Sequence, residues 1–406
     1  MRIHFLFTIL IVLCCQFIFA TVVASRLPCS DTTRIDSTFQ KDVIDLLHHV
    51  FNKKKLIDTL KTQKKINISF IPAIGYTLST GYVIGLSSLT SFFTADNHTQ
   101  NESVINLQAF YNSRRQQIFL AQSNIFTNKD QVKFATDLRI NRYPDVTYGL
   151  GNRTTSSNAN HVVYNYIRFY QTFLKKVTPN LYAGAGYCLD YHYNIIEDGT
   201  ENNIISAFNR YGQTTSSRSS GFNLNVLFDT RSSPINSLKG TYANFFYRSN
   251  HISLGTDSKW SSIQLDLRKY VKLSDHSKNI LAIWSYTWLS IAGKQPYLDL
   301  PSVGNDTYNN TGRGYETGRF RGKNMLYLEG EYRFGIIKNG LLGAVGFASL
   351  QSYPRGVTSK IRSFIPAGGF GLRIKVNKKT NTNLAIDYAI GVDGSRGIFV
   401  NLGEIF

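Results

Sequence analysis

Apolar and polar residues alternate one by one along most of this chain, in stretches of about ten residues. One such stretch places Phe222, Leu224 and Val226 on one face and Asn223 and Asn225 on the other. Because successive side chains of a strand point to opposite faces, a period of two predicts β-strands. The same pattern recurs at 263–268, 325–334, 370–376 and 384–390.

The alternation predicts about sixteen strands joined by connections of unequal length. These are 67–78, 80–93, 104–113, 116–127, 132–143, 162–176, 180–195, 217–231, 240–250, 257–273, 279–293, 325–337, 340–353, 364–378, 382–393 and 396–406. Most connections on one side are short, although residues 94–103 are long, whereas the other side carries loops 144–161, 196–216, 294–324 and 354–363. A soluble β-sandwich also alternates, but an even number of strands with short turns on one face and long loops on the other favours a transmembrane barrel. We therefore predict an all-β fold, a transmembrane antiparallel β-barrel of about sixteen strands.

The first residues have the features of an export signal. Arg2 precedes an apolar stretch over residues 5–20, and small residues follow at 22–25. This arrangement predicts a signal peptide at 1–25, with an uncleaved membrane anchor as the alternative because the apolar stretch is nearly long enough to span. An exported chain with a lipid-facing barrel implies the bacterial outer membrane and its lipids as the surroundings.

Residues 26–66 differ from the barrel pattern and predict a periplasmic leader that precedes a barrel at 67–406. Apolar residues fall at helical spacing between 36 and 51, followed by a run of lysines to residue 65. This spacing predicts a short basic amphipathic N-terminal helix. The helix is expected to pack on the barrel mouth, to plug the lumen or to rest on the membrane surface. The apolar positions are Phe39, Val43, Leu46, Leu47, Val50 and Phe51.

Composition agrees with a membrane barrel and excludes other classes. The chain has 24 Tyr and 27 Phe, and aromatic girdles at both interfaces account for such an excess. The formal net charge of +19 ordinarily suggests nucleic acid, but an exported chain does not meet it, so anionic lipid or a basic lumen is expected. Two of the four cysteines lie in the signal, and we expect Cys29 and Cys188 to be unpaired, with a disulfide as the alternative.

The longest connection carries the most distinctive residues of the chain. Its glycine-rich and cationic segment 311–324 includes Arg313, Gly314 and Tyr315. Glu329 and Glu331 are expected to point inward from the strand that follows. A loop arginine buried against these carboxylates would hold the loop inside the barrel, because breaking such a pair leaves an uncompensated charge.

In these residues the chain resembles the bacterial surface antigen family of outer-membrane assembly and translocation barrels, which includes BamA-like and TamA-like proteins. That family has sixteen strands and a sixth extracellular loop with an Arg-Gly-aromatic motif, which Arg313, Gly314 and Tyr315 match. The resemblance implies that Glu331, with Glu329, anchors this loop in the lumen. It also implies a terminal strand signal for assembly, carried here by Leu402, Gly403 and Phe406. The turn Asp229-Thr-Arg231 resembles a further motif of the family.

The chain departs from the family pattern in two respects. The leader is too short for even one polypeptide-transport-associated (POTRA) domain, so we expect a short, barrel-only type. The thirteenth strand has Ser349 where family members often have an inward aspartate, so Glu331 would hold Arg313 without that second carboxylate.

Three functions compete at this point. The resemblance implies that the barrel helps to insert or translocate protein or lipid, with unfolded exported proteins as clients and a weak seam between the first and last strands. A passive channel is the alternative, since inward cations would favour anions. An enzyme needs a nucleophile and a base in reach, and the best pair, His192 beside Asp190, falls in no recognisable motif, so neither catalytic residues nor a metal or cofactor is expected. The inward cations are Arg139, Arg168, Arg268, Arg373 and Lys375.

Overall fold

The computed structural model describes most of the chain from residue 66 onward. The described residues are 40–43, 45–46, 66–77, 81–94, 100–127, 130–200, 205–212, 214–274, 279–355 and 363–406. The predicted signal peptide, Cys29 and most of the predicted leader helix lie outside these residues. Cys188 is buried and free.

The described strands form one sixteen-stranded sheet in which each strand pairs antiparallel with its neighbours in the sequence, which confirms the predicted fold class. The strands are β1 Ile66–Thr77, β2 Gly81–Phe92, β3 Ser103–Asn112, β4 Gln117–Thr127, β5 Val132–Thr147, β6 Asn160–Thr178, β7 Leu181–Thr200, β8 Ser216–Asp229, β9 Gly240–Asn250, β10 Trp260–Lys272, β11 Ile280–Gly293, β12 Asn324–Gly335, β13 Leu342–Ser352, β14 Ile365–Asn377, β15 Thr382–Gly391 and β16 Arg396–Leu402. Strands β5 to β7 extend further into the long-loop side than predicted. The loops next to them are therefore shorter than 144–161 and 196–216.

Helical structure in the described residues is confined to short segments. One α-helix spans Ala207–Gly212, and single 3-10 turns lie at Ser156–Asn158, Ile252–Leu254 and Tyr297–Asp299. No helix in the described ranges is long and apolar enough to cross a membrane.

The sheet has a polar inner face and an apolar outer face. On β12, Tyr327, Glu329 and Glu331 are buried, whereas Leu328 and Tyr332 on the opposite face are exposed. A folded protein in water has the opposite arrangement, but a barrel in lipid requires it, because the outer face meets hydrocarbon. The alternation in the sequence therefore separates lumen-facing from lipid-facing residues.

The two ends of the sheet, β1 and β16, form a seam. In the described ranges no backbone ladder joins these two strands, and the barrel is nearly closed rather than continuous. One side-chain contact crosses the seam region, where Asn377 of β14 donates to the Ser69 hydroxyl of β1 over 3.3 Å. The seam is therefore the place where this wall has unpaired strand edges.

The prediction that the last strand reaches residue 406 was wrong. Strand β16 ends at Leu402, and Gly403 adopts a left-handed φ of 102°. That conformation is open to glycine and turns the chain out of the sheet. Glu404, Ile405 and Phe406 lie buried in the lumen instead of continuing the wall.

The described part of the leader contacts the short-turn end of the barrel. Asp42 and Asp45 form reciprocal side-chain to backbone hydrogen bonds of 2.9 and 3.2 Å, which is a helix-start arrangement. Asp42 accepts from the backbone N–H of Lys378, and Asp45 pairs with its ammonium at 2.5 Å. The predicted helical region therefore begins at this turn, and residues 40–42 before it are not helical.

Candidate functional site

The connection between β11 and β12, residues 294–323, lies inside the barrel, and we call it the lumen loop. Val303, Arg313, Tyr315 and Phe320 are each less than 5% exposed. Phe320 packs edge-on against Tyr315 with ring centroids 5.3 Å apart. The apolar side chains of the loop thus build a small core within a polar lumen.

The lumen loop is ordered by its own hydrogen bonds. The carboxylate of Asp306 accepts from the backbone N–H groups of Asn310 and Thr311 and from the Thr311 hydroxyl, at 2.7–3.0 Å. The guanidinium of Arg321 donates to the carbonyls of Tyr297 and Leu298 at 3.0 and 3.2 Å. These bonds satisfy polar backbone that a buried loop would otherwise leave unpaired.

Arg313 connects the lumen loop to the barrel wall. Its Nη2 contacts Glu329 and Glu331 of β12, and its Nη1 lies 2.6 Å from Asp387 of β15. The guanidinium carbon also lies 3.6 Å from the centre of the Phe347 ring. All three carboxylate side chains are fully buried. Charge-assisted bonds to two strands therefore fix the tip of the loop in place.

The ion pairs continue from Arg313 toward the short-turn end of the barrel. Arg333 lies 2.6 Å from Glu331. Arg373 lies between two carboxylates, 2.5 Å from Asp387 and 2.7 Å from Glu404. The carboxylates outnumber the guanidinium groups by four to three. The Tyr327 hydroxyl donates to Glu329 and the Asn383 amide to Glu404, which supplies further donors. This ion cluster consists of Arg313, Arg333, Arg373, Glu329, Glu331, Asp387 and Glu404.

Glycines on β14 and β15 make the room that the ion cluster and the lumen loop need. A Cβ at Gly371 would lie 1.8 Å from a carboxylate oxygen of Asp387, and a Cβ at Gly369 would lie 2.7 Å from the Phe347 ring. A Cβ at Gly391 would meet the Tyr315 ring at 2.4 Å. The absence of side chains at these positions therefore shapes the wall around Arg313 and Tyr315.

Gly314 and Tyr315 dock the loop tip against the end of the last hairpin. The Tyr315 hydroxyl donates to the carbonyl of Pro366 and accepts from the backbone N–H of Val392 at 2.9 Å. Gly314 has a φ of 100°, which favours glycine, and its carbonyl accepts from the Ser395 hydroxyl at 2.6 Å. The three residues Arg313, Gly314 and Tyr315 thus contact strands from β12 to β16 or the turns between them.

The structure brings together Arg313, Glu329 and Glu331, and it adds a partner that sequence reasoning missed. Asp387 supplies the further carboxylate, from β15 rather than from the thirteenth strand. Ser349, at the position where that carboxylate was sought, has a buried hydroxyl with no hydrogen-bond partner among the described residues. The sequence feature that could have indicated this partner is the glycine-rich segment 368–371 of β14, because it leaves space for the side chain of Asp387 on the neighbouring strand.

The residues expected to form a terminal strand signal lie at different places. Leu402 ends β16, Gly403 turns the chain, and Phe406 is 6% exposed. The Phe406 ring lies 5.2 Å from that of Trp284, and its carbonyl accepts from Arg333 at 2.9 Å. The chain end therefore packs within the lumen.

A second anchor holds the start of the lumen loop. Ser219 donates to Asp299 at 2.5 Å, and His192 Nδ1 lies 3.5 Å from the other oxygen of that carboxylate. Burial, with the charge of Asp190 adding to it, raises the pKa of Asp299 to about 7. Asp190 itself is bound by Arg168 at 2.9 Å and by Arg248. The His192–Asp190 pair considered from the sequence is thus part of a network that joins wall and loop.

The inward cations expected to favour anions are paired rather than free. Arg139 lies 2.8 Å from Asp137, and Arg268 lies 2.7 Å from Asp266. Arg168 and Arg373 pair with the carboxylates already described, and Lys375 bonds to the side chain of Asn381. The four arginines therefore each contact a carboxylate of the wall, whereas the partner of Lys375 is a neutral amide.

Comparisons with known proteins agree with this geometry. A family model described as the Omp85 superfamily domain matches residues 100–352, which is well over half of the chain. No curated protein sequence matches the chain.

Three solved structures share the fold at low sequence identity. BamA from Haemophilus ducreyi, solved without POTRA domains 1–3, is 14% identical with a TM-score of 0.50, over 83% of this chain and 70% of that one. CdiB from Escherichia coli is 10% identical with a TM-score of 0.53, over 83% and 62%. CdiB from Acinetobacter baumannii is 13% identical with a TM-score of 0.51, over 84% and 65%. The chain thus spans less than two thirds of the length of either CdiB.

The family match and the sixteen-stranded fold lead to the same assignment, and they place the protein in the outer membrane. The chain belongs to the Omp85 superfamily.

Proposed function

We propose that this barrel helps to insert or translocate protein or lipid at the outer membrane and that it catalyses no covalent reaction. The observation that carries the proposal is a wall with one unjoined seam, braced by a loop that Arg313 fixes inside the lumen. Its partners would be outer-membrane lipids and unfolded outer-membrane or exported proteins.

The physical argument rests on the unpaired edges of β1 and β16. A free strand edge offers backbone N–H and C=O groups to a further strand, and added strands gain affinity from main-chain hydrogen bonds. β16 has only seven residues against twelve in β1, so a ladder between them would be short. The ion cluster holds β12 to β15 together beside the seam, so opening would be confined to β1 and β16.

The proposal is tested by locking the seam in the full chain. Ile68 of β1 and Val400 of β16 are both lipid-facing and lie toward the short-turn ends of their strands. Cysteines at these positions can be joined across the seam by a bifunctional thiol reagent, which does not require the close approach of a disulfide. A matched control joins Ile386 to Val400, which are already paired in the β15–β16 ladder. Both pairs are made in a background with serine at Cys29 and Cys188.

The measurement is the folding rate of a urea-unfolded eight-stranded barrel added to lipid vesicles. Vesicles containing the native chain should fold this client faster than empty vesicles, the seam crosslink should abolish the gain, and the control crosslink should preserve it. A client rate equal to that of empty vesicles, together with no change in leaflet exchange of a fluorescent lipid, would contradict the proposal. The channel alternative gains no support from the comparisons, and four of the five inward cations on which it rests are paired with carboxylates.

A further inference from the structure

A cavity in the lumen lies beside residues 305–308 of the lumen loop, away from the ion cluster. Its volume is about 120 Å³, and β4, β9 and β11 contribute to its walls. It adjoins a second cavity of about 120 Å³ that reaches Glu102 at the short-turn end of the barrel. We call the first cavity the polar chamber and define it by Gln122, Asn244, Gln264, Trp288 and Tyr308.

Three buried polar atoms that line the polar chamber have no hydrogen-bond partner among the described residues. They are Gln122 Oε1, Asn244 Oδ1 and Trp288 Nε1. Gln122 and Trp288 are each only 4% exposed. Buried polar atoms are nearly always paired in native proteins, so three unpaired ones around a single cavity point to a group that they bind.

The other two tryptophans show that this is not a general feature of the wall. Trp260 Nε1 donates to Ser219 at 3.1 Å, and Trp284 Nε1 donates to Asp266 at 2.9 Å. Only the indole that faces the polar chamber lacks an acceptor in the described residues. Its N–H is therefore available to a ligand.

The chemistry of the lining favours hydroxyl groups. The chamber presents one free donor and two free acceptors, and a hydroxyl can both donate and accept. Aromatic faces stand beside them: Tyr170 and Phe246 are stacked at 6.4 Å, and Tyr308 is 37% exposed. Rings of this kind pack against the C–H faces of sugars while carboxamides bind their hydroxyls.

The arrangement fits a peptide less well. An extended peptide presents its donors and acceptors in a regular row, which a single strand edge matches. Here the unpaired atoms come from three separate strands, β4, β9 and β11, and surround the cavity. We propose that the polar chamber binds a neutral, hydroxyl-rich ligand, namely a segment of a free oligosaccharide. This proposal does not depend on the transport function.

The test is isothermal titration of the full chain in lauryldimethylamine oxide, a detergent without sugar. The probes are maltotetraose, tetra-N-acetylchitotetraose and an acetylated, amidated tetraserine peptide, all of them uncharged. At least one of the two sugars should bind saturably, and the peptide should not bind. Tryptophan fluorescence provides an independent signal, and its change on binding should be lost in Trp288→Phe, since the bound sugar would contact that indole.

Two variants and one control assign the binding to the chamber. Asn244→Leu and Trp288→Phe each remove one unpaired atom, and each should weaken sugar binding at least tenfold. Gln171→Leu makes the same kind of change on the outer face of β6, where Gln171 accepts from Thr136, and should leave binding unchanged. Gln122 is left intact because its amide donates to the lumen loop at Thr307.

The outcomes decide the proposal in either direction. Saturable sugar binding that both chamber variants weaken, in barrels that still migrate as compact species on cold gels, would support it. The proposal fails if neither sugar binds, which would mean that water fills the chamber. It also fails if the peptide binds as tightly as the sugars, or if both folded variants bind like the native chain.

Discussion

Arg313 is the residue that holds the lumen loop against the barrel wall. It is 2% exposed and contacts three carboxylates that are themselves fully buried. Buried ion pairs contribute little net stability, but removing one partner is costly because a charge is left unpaired. The geometry therefore makes this arginine a structural requirement of the loop rather than an optional contact.

Arg313→Ala should lower the temperature at which the purified barrel loses its compact, detergent-resistant form. Loss of the buried cation costs about 3–5 kcal/mol, which corresponds to a shift of at least about 5 °C. Heat modifiability on gels measures this directly. Arg153, an exposed loop arginine, provides the control, and Arg153→Ala should leave the transition unchanged. Equal transitions in the two variants would mean that the anchor carries no stability.

Sequence reasoning could predict part of this site and not the rest. Glu329 and Glu331 follow the loop on an alternating strand, so their inward direction is set by the period of two. Asp387 lies 74 residues from Arg313 in the chain, and its reach depends on the missing side chain at Gly371. The contact between Arg313 and Asp387 depends on the space left by a glycine on the neighbouring strand. Such packing between distant residues cannot be predicted from the local sequence pattern.

At the scale of elements, the end of β16 is as informative as the lumen loop. Gly403 redirects the chain, and Glu404 then joins the ion cluster through Arg373 while Ile405 accepts a bond from Asn310 of the lumen loop at 2.5 Å. The turned-in segment thus links the seam strand to the loop. Alternation correctly predicted a strand that begins at residue 396. It did not predict where the strand ends, because a polar residue at position 404 is compatible with both a strand and a turn.

Gly403→Ala should release residues 404–406 from the lumen. A side chain in the left-handed region costs about 1–2 kcal/mol, so exposure of the segment should rise roughly tenfold. A cysteine placed at Ile405, in a background with serine at Cys29 and Cys188, reports this through its rate of thiol labelling. Gly394 has a φ of 74° in the turn before β16 and open space around it, so Gly394→Ala is the matched control.

Labelling should accelerate in Gly403→Ala and stay slow in the Gly394→Ala control. Slow labelling in both would show that the turned-in segment does not need a glycine at this position. Fast labelling in the unchanged chain would place Ile405 outside the lumen and contradict the packing described above.

At the scale of the whole molecule, the lumen has one side that holds the ion cluster and another side that holds the polar chamber. The ion cluster and the loop tip at Arg313 lie next to β12–β15, whereas residues 305–308 of the lumen loop line the polar chamber together with β4, β9 and β11. The number of strands, their order and the outward apolar faces were predictable, because they follow from alternation and loop lengths. The division of the lumen was not, because it depends on where a 30-residue loop folds within it.

Single-channel conductance of the refolded protein in a planar bilayer tests the central claim, that an anchored loop occupies the lumen. The intact chain should give small, flickering currents, and deletion of residues 312–322 should give large, steady ones because Arg313, Tyr315 and Phe320 are then absent. Large and steady conductance in the intact chain would show an open pore and contradict the account.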